Sequence, residues 1–327
     1  MSEIMREKIS GGWRSADTNK ARFEVALTAA EIDALEARLA ATRDTEALAT
    51  TRQQWEDPAI NALMARVREI VVEGLGVVIL TGLSRDRFSD EDFERIYWGI
   101  GTHLGEGQRQ NVQGDLLGYV REEPENPTER GYRSAAELAM HTDTFEIVGL
   151  MCVQRAESGG ESSLANALGI YNRIVESRPD LLDALYEGYY FWLPEKKVGI
   201  ATTDRKMPVF CNVGGVVSCN FAGSYMRRAA ELRGETLPAK LSEAIDYFAE
   251  LAASPEFRTE FMLEDGDVLL WNNLTHLHAR KAFQNSPERK RYLLRLWLTL
   301  KDGRPVTERF SERRDTLARM YNVRAAA

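Results

Sequence analysis

The sequence contains few of the side chains that most often bind transition metals or form cross-links. Among its 327 residues are only four histidines and three cysteines, Cys152, Cys211 and Cys219. No two cysteines form a CxxC pair, and Cys152 and Cys211 lie in apolar runs. We therefore expect buried free thiols rather than a disulfide framework or a cysteine zinc site, which fits a reducing, cytoplasmic environment.

Long apolar runs and an excess of positive charge are also missing. The first residues, Met1-Ser2-Glu3-Ile4, contain no apolar signal core, and no stretch approaches the ~18 apolar residues of a membrane helix. The formal net charge is −8. These features argue against nucleic acid and membranes as partners. They do not exclude a small anionic substrate, because local arginines can set the charge of a pocket.

No internal repeat, low-complexity tract or Pro/Gly-rich linker divides the chain. We therefore expect one domain over residues 1–327, with a loose N-terminal arm at 1–26 and a helical insertion at 222–262. Many short strands, with helices near the ends and in the insertion, predict an α+β fold with a mainly β core. The expected architecture is a double-stranded β-helix, or jelly roll, with flanking helices.

Local patterns predict the elements of this fold. A capping box of Thr28 and Glu31 predicts a helix to about Ala40. Apolar residues at helical spacing predict a helix that ends near Gly74 and another over 90–104, whereas residues 105–140 are expected to be loop-rich. Further helices are predicted at 166–177, 180–187, 224–233 and 238–252, and strands at 76–80, 148–153, 209–211, 216–219, 267–271 and 291–300.

The first functional signal is the triplet His141-Thr142-Asp143. Residues i and i+2 point to the same side of an extended segment and diverge on a helix, so His141 and Asp143 can bind one ion only if the triplet is extended. Such triplets also arise by chance, and taken alone this one is better explained as a polar loop before a strand. Two imidazoles and one carboxylate on one face of a metal are, however, the ligands of non-haem Fe(II) oxygenases. His276 and His278, far downstream, are candidates for the second imidazole.

The predicted strand at 291–300 has two distinct faces. One presents Tyr292, Leu294, Leu296 and Leu298 and is expected to pack against helices, while the other presents Arg291, Leu293, Arg295 and Trp297. Two guanidinium groups on an inner face are unfavourable unless anions meet them. Surface salt bridges are the alternative, but the planar fork of arginine matches a carboxylate, so anion binding inside a barrel explains the pattern better.

Together these residues resemble the taurine dioxygenase/TfdA-like branch of Fe(II)/2-oxoglutarate-dependent oxygenases, which includes clavaminate-synthase-like enzymes. The resemblance covers roughly residues 60–300. It rests on an ordered set of segments: Gly76 to Leu83, His141-Thr142-Asp143, Gly159-Gly160-Glu161-Ser162, Asp267 through His278 to Phe283, and Arg291 to Trp297.

The resemblance implies a role for each matching residue. His141, Asp143 and His278 look like the three iron ligands; His278 is favoured over His276 because the H-x-R-x-x-F pattern and the spacing to Arg291 follow it. Arg291 looks like the partner of the distal carboxylate of 2-oxoglutarate, helped by Ser162, where the family often has threonine. Arg295 matches a position that meets either the acidic group of the substrate or the cosubstrate. Because Asp143 is present, halogenation is not expected.

Residues beside the triplet are candidates for the substrate pocket. Tyr132 and Met140 precede His141, Thr144 and Phe145 follow Asp143, and Asn220 comes from a strand-to-helix segment that often borders the pocket in this fold. For each of these residues ordinary loop packing is the competing interpretation. His103, on the predicted helix 90–104, is expected to be structural.

The resemblance implies a dioxygenase that uses Fe(II), 2-oxoglutarate and O2. It would convert 2-oxoglutarate to succinate and hydroxylate a small, carboxylate-bearing metabolite through an Fe(IV)-oxo species. Desaturation or cyclisation at the same site, a zinc hydrolase and a non-catalytic 2-oxoglutarate-binding module are the alternatives. The zinc hydrolase would leave the inward arginines without a ligand. The sequence leaves the substrate and the formation of a homo-oligomer open.

Overall fold

Two β-sheets with helices packed against them make up most of this computed structural model, which describes residues 3–111, 113–122, 134–196 and 198–325. Its strands are β1 (Glu24–Ala26), β2 (Val77–Thr81), β3 (Glu106–Gly107), β4 (Leu117–Arg121), β5 (Leu138–His141), β6 (Ile147–Gln154), β7 (Ser158–Gly159), β8 (Ser162–Asn166), β9 (Phe210–Val213), β10 (Val216–Cys219), β11 (Arg258–Phe261), β12 (Val268–Asn272), β13 (His276–Arg280), β14 (Phe283–Gln284) and β15 (Tyr292–Thr299). Its α-helices are α1 (Lys20–Phe23), α2 (Ala29–Ala41), α3 (Pro58–Arg68), α4 (Asp90–Leu104), α5 (Ala167–Ser177), α6 (Leu182–Glu187), α7 (Gly223–Arg233), α8 (Ala239–Ala253) and α9 (Glu308–Ala325).

The larger sheet has the strand order β1-β2-β12-β6-β15-β3, and β4 also pairs with β15. The smaller sheet has the order β11-β8-β13-β5. Apart from the parallel pair β1–β2, the pairings within both sheets are antiparallel. Neighbouring strands in each sheet are far apart in sequence, so the order of the strands is set by long-range contacts.

The inner faces of the two sheets share one apolar cluster. Val148 and Trp271 of the larger sheet belong to the same cluster as Leu164 and Phe261 of the smaller sheet. Burial of these side chains between the sheets is the main force that holds the two layers together.

The outer faces of the sheets are covered by different helices. The alternating leucines of β15, Leu294, Leu296 and Leu298, pack with Phe93 and Ile96 of α4, as the sequence predicted for this face. On the other side, helices α5 to α8 pack around Leu277 of β13 in a separate cluster. No helix within the described ranges is both long and apolar enough to cross a membrane.

Several predicted elements are confirmed almost residue for residue. Helix α4 has the predicted bounds, and α2 begins with the predicted capping box of Thr28 and Glu31. Helix α3 continues as a single π-helical segment, Glu69–Glu73, before it ends at Gly74. Helices α7 and α8 occupy the predicted insertion, although β11 in the same stretch belongs to the smaller sheet.

Two segments hold more structure than the sequence predicted. The loop-rich stretch 105–140 also contains the short strands β3 and β4 and the start of β5, and these strands form because β13 and β15 offer them edges to pair with. The N-terminal segment, expected to be loose, is packed: Trp13 and Phe23 are buried, and β1 pairs with β2. Neither β11 nor α9 was predicted.

Candidate metal and cosubstrate site

His141, Asp143 and His278 converge at one end of the smaller sheet. His141 is the last residue of β5, and His278 lies opposite it across the antiparallel β5–β13 pair. The centroids of the two imidazole rings are 4.2 Å apart. One ligand atom from each of the three residues lies within 4.8 Å of the others, a spacing that suits a shared metal ion.

Hydrogen bonds orient two of these side chains. Nδ1 of His141 lies 2.7 Å from the carbonyl oxygen of Ala139, so the imidazole donates there and its Nε2 lone pair is available to a metal. The indole Nε1 of Trp297 donates to Oδ2 of Asp143 over 2.9 Å. Such outer hydrogen bonds are typical of residues that bind a metal.

Asn273 holds the backbone on which Asp143 lies. Its Oδ1 accepts from the amide of Asp143 at 3.0 Å, and its Nδ2 donates to the carbonyls of Asp143 at 3.1 Å and Phe145 at 2.7 Å. One side chain from the β12–β13 turn therefore makes three hydrogen bonds to the segment after β5.

The electrostatics of the site favour an anionic carboxylate beside a neutral imidazole. Burial by itself raises the pKa of Asp143, but the charge of Arg295, together with His278, His141 and the Trp297 hydrogen bond, holds that pKa well below its usual range. Burial, reinforced by His141, lowers the pKa of His278 to about 3. Deprotonated ligands of this kind are the form that binds a metal.

Arg291 immediately precedes β15 and is 5% exposed. Burial, with the nearby charge of Arg280, lowers its pKa to about 9. Its Nη1 is buried without a hydrogen-bond partner among the described residues, and its guanidinium lies 5.2 Å from the ring of Phe283. A charged group in this state requires an anion, and the described residues place none against it.

Arg295 lies four residues after Arg291, two alternations along the strand, on the same face. Its Nε donates to Oε1 of Gln110 over 2.8 Å, and its Nη1 is 3.7 Å from Oδ2 of Asp143. Arg295 therefore lies between the carboxylate of Asp143 and the guanidinium of Arg291 along this face.

A single cavity of about 400 Å³ joins these groups. Small-molecule sites commonly have volumes of ~300–1,000 Å³ and apolar walls with a few polar groups. The predicted site residues that line this cavity are Met140, His141, Asp143, Ser162, His278, Arg291 and Arg295. The sequence-predicted metal and cosubstrate residues therefore lie in one place.

Three of the predicted pocket residues do not line this cavity. Phe145 is 1% exposed and packs on Trp297 in the core between the sheets, with ring centroids 5.4 Å apart. Thr144 and Asn220 border a separate small void beside α9. The turn after Asp143 directs Thr144 and Phe145 away from the cavity, and Asn220 lies beside the same void directly after β10; the sequence did not reveal these placements. Tyr132 lies outside the described residues.

The two remaining histidines have packing roles. His276 is buried, with Nε2 3.2 Å from Nδ2 of Asn166 and Nδ1 2.9 Å from Oγ1 of Thr275. A Cβ at Gly76, whose φ is +82°, would lie 2.3 Å from Cε1 of His276, so only glycine fits there. His103 is buried in α4, with Nε2 3.3 Å from the carbonyl oxygen of Trp55.

Sequence reasoning missed several residues that support the site. Asn273 and Trp297 contact Asp143, and Gln110 contacts Arg295, but only tertiary structure brings them there. Arg280 was part of the matched motif without a role; its Nη2 donates to the carbonyls of Ser134, at 2.7 Å, and Ala136. Its position two residues after His278, on the same strand, was the one feature of the sequence that could have placed it near the site.

Comparison with known proteins relates the chain to one family. The family model described as "Taurine catabolism dioxygenase TauD, TfdA family" matches residues 42–297. FR-33289 synthase of Streptomyces rubellomurinus is 29% identical over 275 residues, which are 81% of this chain and 79% of that protein. The taurine hydroxylase-like protein SAT17 of Stachybotrys chartarum is 29% identical over 304 residues, which are 85% of this chain and 76% of that protein.

The fold also matches solved structures. Asparagine oxygenase, in complex with Fe(II), 2S,3S-3-hydroxyasparagine and succinate, superposes with a TM-score of 0.65 and 15% sequence identity. The match covers 85% of this chain and 94% of that one. At this identity the likeness shows a shared fold.

Proposed function

Since the chain belongs to the TauD/TfdA family of dioxygenases, we propose that it is an Fe(II)/2-oxoglutarate-dependent oxygenase that hydroxylates a small anionic metabolite. The observation that carries this proposal is the convergence of His141, Asp143 and His278, whose ligand atoms lie within 4.8 Å of one another. We further infer that the two facing sheets form the double-stranded β-helix expected from the sequence.

The three side chains fit an iron ion in number, type and protonation state. His141 offers Nε2 because its Nδ1 is engaged by Ala139, and Asp143 remains anionic at neutral pH. We assign these two residues and His278 as the iron ligands. Two imidazoles and one carboxylate leave coordination positions for a keto acid and dioxygen.

The guanidinium of Arg291, whose buried Nη1 has no hydrogen-bond partner among the described residues, fits the distal carboxylate of 2-oxoglutarate. Arginine binds carboxylates through two parallel N–H donors, and Arg291 lines the cavity that also contains the proposed iron ligands. Ser162, on β8, adds a hydroxyl to this end of the cavity, and Arg295 is available to the cosubstrate or the substrate. The asparagine oxygenase structure contains Fe(II) and succinate; succinate is the product that 2-oxoglutarate would yield, which supports iron and 2-oxoglutarate here.

Iron held by His141, Asp143 and His278 would supply activation of dioxygen, with one oxygen atom going into succinate as 2-oxoglutarate loses CO2 and the other into a C–H bond of the substrate. The residues of this chain hold and orient the reactants. The apolar wall, with Leu150, Leu269 and Trp271, excludes water from the reacting groups. Trp297 and Asn273 keep Asp143 in place.

Anaerobic addition of Fe(II) and 2-oxoglutarate to the apoprotein tests this proposal. A weak visible charge-transfer band should appear, and it should be absent in His141→Ala and Asp143→Ala. Tight zinc retention without a band would favour a hydrolase. A band without succinate formation across a broad metabolite panel would favour a non-catalytic 2-oxoglutarate-binding module.

The reaction outcome is measured by mass. Oxygen-dependent succinate formation coupled to a gain of one oxygen atom indicates hydroxylation. Loss of two hydrogens indicates desaturation or cyclisation, which the same site can perform.

A further inference from the structure

Arg313, on helix α9, is a buried arginine. It is 6% exposed, and its Nε has no hydrogen-bond partner among the residues that the structure describes. Within the described part of the chain no carboxylate forms an ion pair with it. Its neighbours differ: Glu312 pairs with Arg205 at 2.8 Å, and Arg314 pairs with Glu146 at 3.0 Å.

Helix α9 holds Arg313 in an inward position. Phe310, Leu317 and Tyr321, at helical spacing around it, are all buried. Nε of Arg309, one turn earlier, donates to the carbonyl of Lys206 over 3.1 Å. These contacts fix α9 before and after Arg313. Since its neighbours at helical spacing are buried, Arg313 lies on the inner face of the helix, where an apolar side chain is expected.

This inward position opens into the cavity of the proposed active site. Arg313 lines that cavity together with Phe221, Ala222, Tyr225 and Ile245. Its guanidinium lies 4.8 Å from the ring centroid of Tyr225, a cation–π contact that compensates only part of the desolvation of the charge.

The carboxylates that line the cavity are already engaged elsewhere. Asp246 accepts a 2.6 Å hydrogen bond from Nη2 of Arg227. Asp143 accepts from Trp297 and lies 3.7 Å from Nη1 of Arg295. Neither carboxylate neutralises Arg313, so among the residues that the structure describes its positive charge on the cavity wall remains unpaired.

We propose that Arg313 binds an oxyanion of the primary substrate, a carboxylate, phosphonate or sulfonate attached to a small apolar body. The proposal deepens the proposed function and rests on it, because it assigns this cavity to the substrate. A buried unpaired guanidinium is unfavourable until an anion meets it, and a planar fork suits an oxyanion. Residue 313 lies beyond the family match, which ends at residue 297. Arg313 is therefore a specificity residue contributed by a segment outside that match.

Calorimetric binding to the anaerobic Fe(II)·2-oxoglutarate protein tests this assignment. Saturation with 2-oxoglutarate removes Arg291 as a competing site. The probes are hexanoate, hexylphosphonate, hexanesulfonate and neutral 1-hexanol, which share one apolar body. At least one anion should bind about 10-fold or more tightly than hexanol, as a charge-assisted hydrogen bond predicts, and the preferred anion identifies the headgroup.

Three variants show whether Arg313 causes this preference. Arg313→Gln should reduce the affinity for the preferred anion to that for hexanol, and Arg313→Lys should retain part of the preference. Arg319→Gln, in the same helix on an exposed position, is the control and should bind as wild type does. Equal anion affinities for Arg313→Gln and wild type would overturn the assignment.

Two further readouts separate the explanations. Arg313→Gln should unfold at a temperature no lower than wild type, since no ion pair is lost; a lower temperature with unchanged anion preference would assign Arg313 a packing role instead. The visible band of the Fe(II)·2-oxoglutarate complex is recorded for each variant. Absence of the band in wild type would refute the proposed function, whereas a normal band with no anion preference would refute only the role of Arg313.

Discussion

The indole of Trp297 and the carboxylate of Asp143, 154 residues apart in the chain, are joined by a 2.9 Å hydrogen bond. Trp297 lies on the inner face of β15, one alternation beyond Arg295, whose guanidinium also approaches Oδ2 of Asp143. The strand that carries Arg295, and that Arg291 immediately precedes, therefore also orients a proposed metal ligand. Metal and cosubstrate binding are expected to depend on the same strand.

Trp297→Phe should weaken Fe(II) binding by about 10–100-fold, the range typical for loss of a hydrogen bond to a metal ligand. Phenylalanine preserves much of the packing against Phe145. Trp271→Phe is the matched control. The ring centroids of Trp271 and His278 are 4.8 Å apart, but Nε1 of Trp271 has no hydrogen-bond partner among the described residues. Anaerobic metal titration measures both, and equal affinities would contradict a supporting role for Trp297.

Alanine variants should separate the two late histidines. His278→Ala should abolish the visible band with Fe(II) and 2-oxoglutarate. His276→Ala should retain it but lower the free energy of unfolding by about 2–4 kcal/mol, because it leaves a cavity and unpaired groups at Asn166 and Thr275. Denaturant titration and visible absorption measure the two effects. Loss of iron in His276→Ala alone would reverse the assignment.

Arg291→Met should reduce 2-oxoglutarate affinity by about 100-fold, since two charge-assisted hydrogen bonds would be lost. The apoprotein should be no less stable than wild type, and up to about 4 kcal/mol more stable, because an unpaired buried charge is removed.

Arg280→Met provides the contrast, since Arg280 already donates to the carbonyls of Ser134 and Ala136. Its loss should destabilise the apoprotein by about 1–3 kcal/mol. Denaturant titration of the two apoproteins decides the matter: destabilisation by Arg291→Met would mean that Arg291 serves the fold.

Asn273→Ala should loosen the segment that carries Asp143. The variant removes three hydrogen bonds to that segment and should cost about 2–4 kcal/mol of stability. Hydrogen exchange at residues 142–146 should increase locally. Wild-type exchange there would show that the segment is held by other contacts.

All three thiols should resist modification in the folded protein. Cys152, Cys211 and Cys219 are buried and free, and burial raises the pKa of Cys152 to about 12 and that of Cys219 well above its usual value. A thiol-reactive disulfide reagent should label few thiols in native buffer and three per chain in denaturant. Rapid labelling of the native protein would contradict this burial.

Much of the fold was predictable where one local pattern decides the structure. The capping box at Thr28 and the apolar stripe of α4 gave the correct elements, because each reports burial of one face of a helix. Strand β4 was missed because Leu117–Arg121 has little pattern of its own, and pairing with β15 makes it a strand. The helix α9 was missed as well, so its inward arginine could not be foreseen.

By itself the sequence determined which residues share a face: the i, i+2 spacing of His141 and Asp143, and the alternation that puts Arg291, Arg295 and Trp297 on one side of β15. Periodicity encodes such relationships because it depends only on local backbone geometry. Tertiary structure alone decided which faces meet. The register that sets His278 opposite His141, the supports of Asp143 from Asn273 and Trp297, and the entry of Arg313 into the cavity all depend on contacts between distant segments, and no local pattern records them.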